Sequence, residues 1–167
     1  AGYATGIFGK WHLGGGEGAP PGQQGFDTVF DSRPTPNVRR DDPDDPKGIY
    51  SLTRAAISFI ERNQNRPFFA FVSHHAIHTA LEARPSSLAK FQAKKRGRQH
   101  HDPLYAAWLY DLDDGVGLLL DKLKRLEGMA LETATRRLES TELEQKMAAA
   151  LAAIPGVSTP GDSSGSS

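Results

Sequence analysis

Three stretches of the sequence arrange apolar and polar residues in patterns that predict regular elements. Residues 3–9 are a short apolar run with glycines and predict a buried strand. Residues 50–62 place apolar side chains at helical spacing, with Ser51 as the expected cap. Residues 68–73, Phe-Phe-Ala-Phe-Val-Ser, are largely apolar and predict a buried strand of a parallel sheet. A strand, a helix and a strand in succession indicate an α/β fold.

The C-terminal part of the chain carries longer helical patterns. Residues 103–126 predict a helix that follows the capping residue Asp102 and has a proline in its first turn. The predicted apolar stripe of this helix consists of Leu109, Leu112, Val116, Leu119, Leu120, Leu123 and Leu126. The aspartates of the same helix (Asp111, Asp113, Asp114 and Asp121) are expected to lie largely outside that stripe.

These patterns together predict the organisation of the chain. We expect part of a mainly parallel sheet flanked by helices, an α/β fold that is truncated and has a helical C-terminal extension. Residues 1–127 are expected to form the partial domain, residues 128–155 the helical extension, and residues 156–167 a disordered Gly/Ser/Pro tail. Residues 14–48 predict a long loop with an apolar patch at 25–30.

The composition excludes several classes of function. A length of 167 residues suits one domain, and 20 basic residues balance 20 acidic ones, which disfavours a whole-chain nucleic-acid binder. Cysteine is absent, so the chain has no disulfide, thiolate zinc site or cysteine nucleophile. No apolar run reaches the roughly 18–20 residues of a membrane span. The chain starts at Ala1 without a signal peptide, and we expect that its parent has a segment upstream.

Lys10 and His12 stand two residues apart, directly after the first predicted strand. In an extended segment, residues i and i+2 point to the same side, so the ammonium and the imidazole face one direction. This pair suits an anionic ester, because the lysine holds the charge while the histidine moves a proton. The alternative is a solvated lysine and a histidine that packs beneath Trp11, and the spacing alone leaves both open.

Three histidines (His74, His75 and His78) follow the second predicted strand. The carboxyl ends of parallel strands are where open α/β sheets bind ligands, which favours a site here. His74 and His78 are four residues apart and converge on a metal only if the segment is helical. Histidines of a surface loop are the alternative, which also applies to the pair His100 and His101.

Two charged runs are further candidates for binding. Residues 39–45, Arg-Arg-Asp-Asp-Pro-Asp-Asp, offer carboxylates to calcium but lack the oxygen spacing of a calcium loop, which favours a solvated charge run. Residues 94–98, Lys-Lys-Arg-Gly-Arg, form a basic patch suited to phosphate, sulfate or nucleic acid. No aromatic residue interleaves this patch, so a solvated linker is favoured over nucleic-acid binding.

Residues 2–14, Gly-Tyr-Ala-Thr-Gly-Ile-Phe-Gly-Lys-Trp-His-Leu-Gly, closely resemble the second signature of the sulfatase family, the arylsulfatase-like members of the alkaline phosphatase superfamily. Residues 25–27, Gly-Phe-Asp, resemble a tripeptide found shortly downstream in these enzymes. Residues 67–79 resemble the family strand that delivers a second active-site histidine, and residues 105–117 resemble the helix that follows it. The similarity is collinear over residues 1–127.

The resemblance implies a sulfuric ester hydrolase whose nucleophile is a formylglycine made from cysteine or serine, with a calcium ion that helps to hold the sulfate. By position it implies that Lys10 contacts the sulfate, that His12 bonds the formylglycine and handles its proton, and that His78 contacts the sulfate and assists the leaving group. The implied substrate is a sulfated small molecule or sulfated glycan, and the implied parent is an exported, periplasmic or extracellular protein.

Several parts of the family pattern are missing from this sequence. The proline that usually follows the matching histidine and threonine is Ala80. The cysteine-x-proline-serine-arginine signature and the paired aspartates of the metal site belong upstream, and Ser32 and Ser158 lack the arginine of a serine version. The strand that ends in aspartate-asparagine-glycine is replaced after Leu126 by an Ala/Glu-rich segment. Neither formylglycine nor calcium is therefore supported by the residues present.

Two hypotheses follow from these observations. The first is an internal fragment of a sulfatase, truncated or altered in frame, that is inactive alone. The second is a non-catalytic protein that binds an anionic polymer or a partner through its basic segment or its C-terminal helix. Both leave the substrate and the oligomeric state open, and neither involves a membrane.

Overall fold

A parallel sheet of three strands lies at the centre of the computed structural model, which describes residues 2–13, 19–31, 42–99 and 101–152. The strands are β1 (Ala4–Gly9), β2 (Thr28–Phe30) and β3 (Phe68–Ser73), in the order β2-β1-β3. The two strands predicted from the apolar runs are confirmed, and so is the α/β fold class, but the expectation that the second strand is buried is wrong. β3 lies at the edge of the sheet, and its Phe69 and Phe71 are exposed by 52% and 42%, because the contact of Phe68 with Phe59 lies on the opposite face. Because β1 pairs in parallel with both neighbours, the carboxyl ends of all three strands meet at one edge.

The apolar patch at residues 25–30 was expected within a loop but supplies the edge strand β2. The reason is a pair of contacts before the strand. Thr5 Oγ1 and the Asp27 carboxylate form a hydrogen bond of 3.0 Å, and the Asp27 N–H donates back to Thr5 Oγ1 at 3.0 Å. These bonds hold the patch beside β1, where Thr28–Phe30 pairs with residues 6–8 of that strand.

Three helices complete the described structure: α1 (Ile49–Asn63), α2 (Pro85–Gln92) and α3 (Pro103–Ala152). The predicted helix at 50–62 is confirmed as α1, but the expectation that Ser51 caps it is wrong. Gly48 occupies the cap position in a left-handed conformation. The carboxylate of Asp45 accepts the N–H of Tyr50 at 2.6 Å and that of Ser51 at 3.2 Å, so it satisfies the first turn from outside the helix.

Helix α2 was not predicted, and a buried polar network explains why it forms. Asp111 of α3 is fully buried and accepts the N–H of Arg84 at 2.8 Å, Arg84 Nε at 2.8 Å and Ser87 Oγ at 2.5 Å. Asp114 accepts Arg84 Nη2 and the Tyr50 hydroxyl, both at 2.9 Å. Burial, and then the hydrogen bond to Asp114, raises the pKa of Tyr50 far above its ordinary value. The network ties α1, α2 and α3 together through charge rather than through an apolar pattern.

The buried face of α3 is not the predicted leucine stripe. Ala107, Trp108, Asp111 and Gly115 are buried, whereas the stripe residues Leu109, Val116 and Leu120 are exposed by 37–50%. The expectation that Asp111 lies on a polar face is therefore wrong. The burial of Gly115 shows why: a Cβ there would lie 2.7 Å from Ile49 Cγ2, so the glycine lets α1 and α3 approach closely.

The chain divides into two compact units, Ala1–Leu123 and Lys124–Ser167. The helix predicted at 103–126 and the helical extension predicted at 128–155 meet in a single element of the structure, α3 (Pro103–Ala152). The predicted tail at 156–167 and the serines Ser32 and Ser158 lie outside the described residues. Of the helices in the described ranges, none has the length and apolar composition needed to cross a membrane.

Candidate active site

A glycine at the end of β1 lets the backbone lie directly against β3. Gly9 has φ 112°, and a Cβ at this position would lie 2.0 Å from the carbonyl oxygen of Ser73, so other residues are excluded. The N–H of Lys10 donates to that carbonyl at 2.7 Å, and Ser73 Oγ donates to the carbonyl of Lys10 at 2.8 Å. Both peptide groups of Lys10 are thus held at the carboxyl edge of the sheet, and its side chain is half-buried.

Trp11 anchors the segment that follows. Its Nε1 donates to the carbonyl of Ala19 at 2.7 Å, and its ring meets Phe26 edge-on at a centroid distance of 6.0 Å. His12 is exposed, which disagrees with the alternative in which it packs beneath Trp11. Trp11, the residue between Lys10 and His12, is therefore held in place, whereas the imidazole of His12 is accessible to a ligand.

The Gly-Phe-Asp tripeptide has an anchoring role in the structure. Gly25 takes a left-handed conformation with φ 89°, and Phe26 stacks on Phe69 at 6.1 Å and on Phe71 at 6.4 Å. Since Asp27 is bonded to Thr5 as described above, the tripeptide fixes the start of β2 against β1. Its connection to the segment of Lys10 and His12 is the contact between the rings of Phe26 and Trp11.

His74 and His75 each contact a side chain that is distant in the sequence. His74 Nε2 lies 3.1 Å from Thr53 Oγ1 of α1, and burial, then the neighbouring His75, lowers the pKa of its imidazole. His75 Nε2 lies 3.2 Å from Asp31 Oδ1, which connects the ends of β3 and β2. The sequence indicated these histidines only as metal ligands or loop residues, and no periodicity marks Thr53 or Asp31 as their partners.

His78 is exposed on the loop between β3 and α2. Its N–H donates to the carbonyl of His75 at 3.1 Å, which closes a turn, and its Nδ1 lies 3.3 Å from the carbonyl oxygen of Thr79. On either side of it, Ala76 and Leu81 pack against the buried cluster of Ile49, Tyr50 and Trp108. The loop is therefore fastened to the core at both ends while the imidazole of His78 remains open.

Lys10 and His12 thus follow β1, and His78 follows β3, its paired neighbour in the sheet. Lys10 is bonded directly to the end of β3, and the loop that carries His78 begins at that same end of the strand. An ammonium and two accessible imidazoles at such an edge suit an anion whose hydrolysis requires proton transfer. Which of them touch a substrate stays a prediction.

Two carboxylates of the acidic run bond to the backbone beside them. In the acidic run, Asp45 caps α1 and Asp42 Oδ1 accepts the N–H of Asp44 at 2.9 Å, so these carboxylates serve the local backbone. Residues 39–41 and His100 lie outside the described residues. Within the described part of the chain, no three His, Cys, Asp or Glu side chains converge to hold a metal ion. The described residues do not fit the calcium that the family resemblance implies.

Comparison with known proteins identifies the family. The family model for Sulfatase matches residues 1–130, more than three quarters of the chain. The chain belongs to the sulfatase family. It is 31% identical to the arylsulfatase of Hemicentrotus pulcherrimus over 74% of its own length and 27% of that protein. It is also 31% identical to the N-acetylgalactosamine-6-sulfatase of Sus scrofa, over 76% of its own length and 28% of that protein.

The solved structures support the same fold for this sulfatase chain. The crystal structure of Ps i-CgsB matches 75% of the chain with a TM-score of 0.57 and 23% identity, and the match covers 34% of that structure. The sulfatase chain therefore spans about a third or less of the relatives and of the structure that it matches. The family and the α/β fold predicted from the sequence are confirmed.

Proposed function

We propose that this sulfatase chain carries the sulfate-holding and proton-handling part of a sulfuric ester hydrolase of the arylsulfatase type. The observation that carries the proposal is the fixation of Lys10 by two hydrogen bonds to Ser73, at the edge where His12 and the loop of His78 also emerge. A site that must bind an anion with defined geometry requires that the backbone carrying its charged group is fixed in this way.

Each residue has a chemical task in this proposal. The ammonium of Lys10 attracts the sulfate and stabilises the negative charge that grows on its oxygens during cleavage. The exposed imidazole of His12 accepts and returns a proton on the nucleophile side. His78, on its anchored loop, contacts the sulfate and gives a proton to the leaving oxygen, which makes the departing alcohol neutral.

The proposal assigns no nucleophile and no metal ligand to this chain. The sequence has no cysteine, and the described residues hold no cluster that fits calcium. Covalent attack and metal-assisted charge stabilisation contribute a large part of the rate in such sites. We therefore propose that the 167-residue chain is inactive alone and that cleavage belongs to a longer parent.

The substrate class is a sulfated small molecule or a sulfated glycan. One relative is named for N-acetylgalactosamine 6-sulfate chemistry, and a second crystal structure of Ps i-CgsB is described in complex with k-i-k-neocarrahexaose. Those names support a carbohydrate sulfate as the first class to assay, with aryl sulfates as the general reporter.

The test compares two proteins. The purified chain is expected to give no hydrolysis of 4-nitrocatechol sulfate above background. The product of the complete reading frame that contains this segment is expected to hydrolyse it, and the separate changes Lys10→Ala, His12→Ala and His78→Ala should each lower kcat/KM by about 100-fold or more. Lys124→Ala, an exposed lysine of the second unit, is the matched control and should leave the rate unchanged.

Two results would contradict the proposal in different ways. Hydrolysis by the 167-residue chain that disappears in His12→Ala would disprove its inactivity. Unchanged kcat/KM in all three alanine variants of the complete product would disprove the roles given to these residues.

A further inference from the structure

The last turn of α2 and the segment that joins it to α3 concentrate positive charge. Lys90, Lys94, Lys95, Arg96 and Arg98 lie within nine residues, and no Asp or Glu occurs between Glu82 and Asp102. The chain as a whole has no net charge, so this segment departs from its average. Residues 92–99 are exposed, which leaves their charges available to a ligand.

Aromatic rings hold two of these lysines in place. Lys90 Nζ lies 3.7 Å from the centre of the Tyr110 ring, and Lys94 Nζ lies 4.9 Å from that of Phe91. Phe91 and Tyr110 contact each other at a centroid distance of 5.7 Å. A cation held over a ring keeps its N–H donors, so less side-chain entropy is lost when an anion binds. The sequence favoured a solvated linker at residues 94–98 because no aromatic residue interleaves them, and the rings that contact Lys90 and Lys94 lie outside that run.

A cavity of about 270 Å³ lies against this segment, lined by Lys94, Lys95, Arg96 and His101 together with Phe91 and Asp102. Asp102 is the acidic residue of this wall, and its Oδ1 accepts the N–H of Leu104 at 2.9 Å at the start of α3. Its charge is thus directed at the helix N-terminus, where a negative group is stabilised. The cavity wall therefore carries three basic side chains against one acidic side chain.

We propose that this basic pocket, defined by Lys94, Lys95, Arg96 and His101, binds the sulfate groups of a sulfated polysaccharide. The pocket is formed by the α2–α3 connection, whereas Lys10 and His12 follow β1 and His78 follows β3, so it provides a second point of attachment for a polymeric substrate. The choice of sulfate over other anionic groups rests on the proposed function. Attachment at two points raises the effective concentration of ester groups at the reacting edge.

The geometry favours a polysaccharide over a nucleic acid. Single-stranded nucleic acids bind by stacking their bases on open aromatic faces. Here Lys90 covers a face of Tyr110 and Lys94 covers a face of Phe91, so these two faces are not open to a base. A sulfated sugar is bound through point charges, which lysine ammonium groups supply, and it requires no stacking.

The test measures binding of a heparin-derived octasaccharide to the purified chain by isothermal titration calorimetry at low and at physiological salt. The triple change Lys94→Gln, Lys95→Gln and Arg96→Gln is expected to weaken binding by about tenfold or more, because it removes three charge-assisted contacts. The control, Lys124→Gln, Arg125→Gln and Arg137→Gln, alters net charge equally at exposed positions of the second unit and should change affinity less than about twofold.

Two further ligands show which chemistry the pocket recognises. The desulfated octasaccharide should not bind, and a single-stranded 12-nucleotide DNA should bind more weakly than the sulfated sugar. Equal affinity for DNA, or an equal loss of affinity in the control variant, would overturn the proposal in favour of general polyanion binding. Circular dichroism must show that both triple variants keep the helical content of the unchanged chain.

The double change Lys10→Ala and His12→Ala separates this inference from the proposed function. Binding that survives it but is lost in the pocket variant supports the basic pocket, even if the complete product proves to have no sulfatase activity. Binding that is lost in this double variant and kept in the pocket variant overturns the basic pocket and leaves the proposed function intact.

Discussion

The helix α3 shows how one continuous element can depend on two different kinds of stabilisation. In its part within the first unit, Trp108, Asp111 and Gly115 are buried. In its part within the second unit, Met129 and Leu131 are exposed by 61% and 69%. The first part is held by contacts with distant residues, so its helical pattern alone does not reveal which face is buried.

The second part relies on local interactions. Arg136 bonds Glu132 one turn earlier at 2.5 Å, and the hydroxyls of Thr133 and Thr135 donate to carbonyls four residues back at 2.9 and 3.0 Å. The ion pair contributes only a few tenths of a kcal/mol, and the threonine bonds to the backbone add no stability of their own. The comparison indicates that substitutions in the two parts should change stability by different amounts and even in opposite directions. Packing determines the effect in the first part, and helix propensity determines it in the second.

The largest effect is expected from Asp111→Asn. The change removes the buried negative charge that faces Arg84 and takes away an acceptor from Ser87 or Arg84. Breaking a buried pair costs about 3–5 kcal/mol, and the lower end applies because Asp114 still pairs with the partly exposed Arg84. Urea unfolding followed by tryptophan fluorescence measures the loss.

The control for that change is Asp113→Asn, which alters an exposed aspartate two positions along the same helix. It should change the free energy of unfolding by less than about 0.5 kcal/mol. If both variants unfold at the same urea concentration, the network does not stabilise the first unit.

Gly115→Ala is expected to have the next largest effect. Its Cβ would lie 2.7 Å from Ile49 Cγ2 and 3.2 Å from Thr53 Oγ1 in a region without free space. Overpacking costs about 1–3 kcal/mol, and the better helix propensity of alanine returns about 1 kcal/mol. The free energy of unfolding should therefore fall, whereas Gly117→Ala, which meets no atom within 4 Å, should raise it. An increase in both variants would contradict the close packing of α1 on α3.

Gly128→Ala tests the second part of the helix. A Cβ there meets no atom within 4 Å, so only helix propensity changes, by about 1 kcal/mol in favour of the helix. Circular dichroism should show a higher midpoint for loss of helical signal. Both tryptophans lie in the first unit, so their fluorescence transition should stay in place. A shift of that transition would show that the two parts do not respond separately.

The smallest effect concerns pH and is confined to the first unit. Burial lowers the pKa of His74 below its ordinary 6.5, so the unfolded chain takes up its proton at a higher pH than the folded chain does. The stability contributed by neutral His74 is complete above pH 6.5 and is lost as pH falls through the lowered pKa. His74→Gln should flatten the dependence of the unfolding midpoint below pH 6.5, and His101→Gln, at an exposed position, should not. Equal slopes in the two variants would contradict the burial of His74.

The elements that depend on local pattern were predicted well. The strands β1 and β3 and the helix α1 follow apolar runs and helical spacing, and the structure confirms them. Strand β2 and helix α2 were missed because long-range bonds create them. Thr5 and Asp27 hold β2, and Asp111 receives the start of α2 through Arg84. No periodicity in the sequence records such bonds.

The candidate site, too, could be predicted only in part from the sequence. Lys10, His12 and His78 were found from their positions after predicted strands and from the family resemblance, and their roles remain predictions. The anchoring of the loop around His78 by Ala76 and Leu81 depends on a core assembled from α1 and α3. The charge of the basic pocket is visible in the sequence, but the ring of Tyr110 reaches Lys90 only in the folded chain.

The sequence by itself determined the family, the α/β class and the residues available for chemistry, because these depend on residue order and on local pattern. The tertiary structure decided which face of α3 is buried, which carboxylates pair with Arg84 and why Gly9 must be a glycine. These properties depend on atoms that are far apart in the chain and meet only on folding: the carbonyl of Ser73 against Gly9, and Arg84 against Asp111.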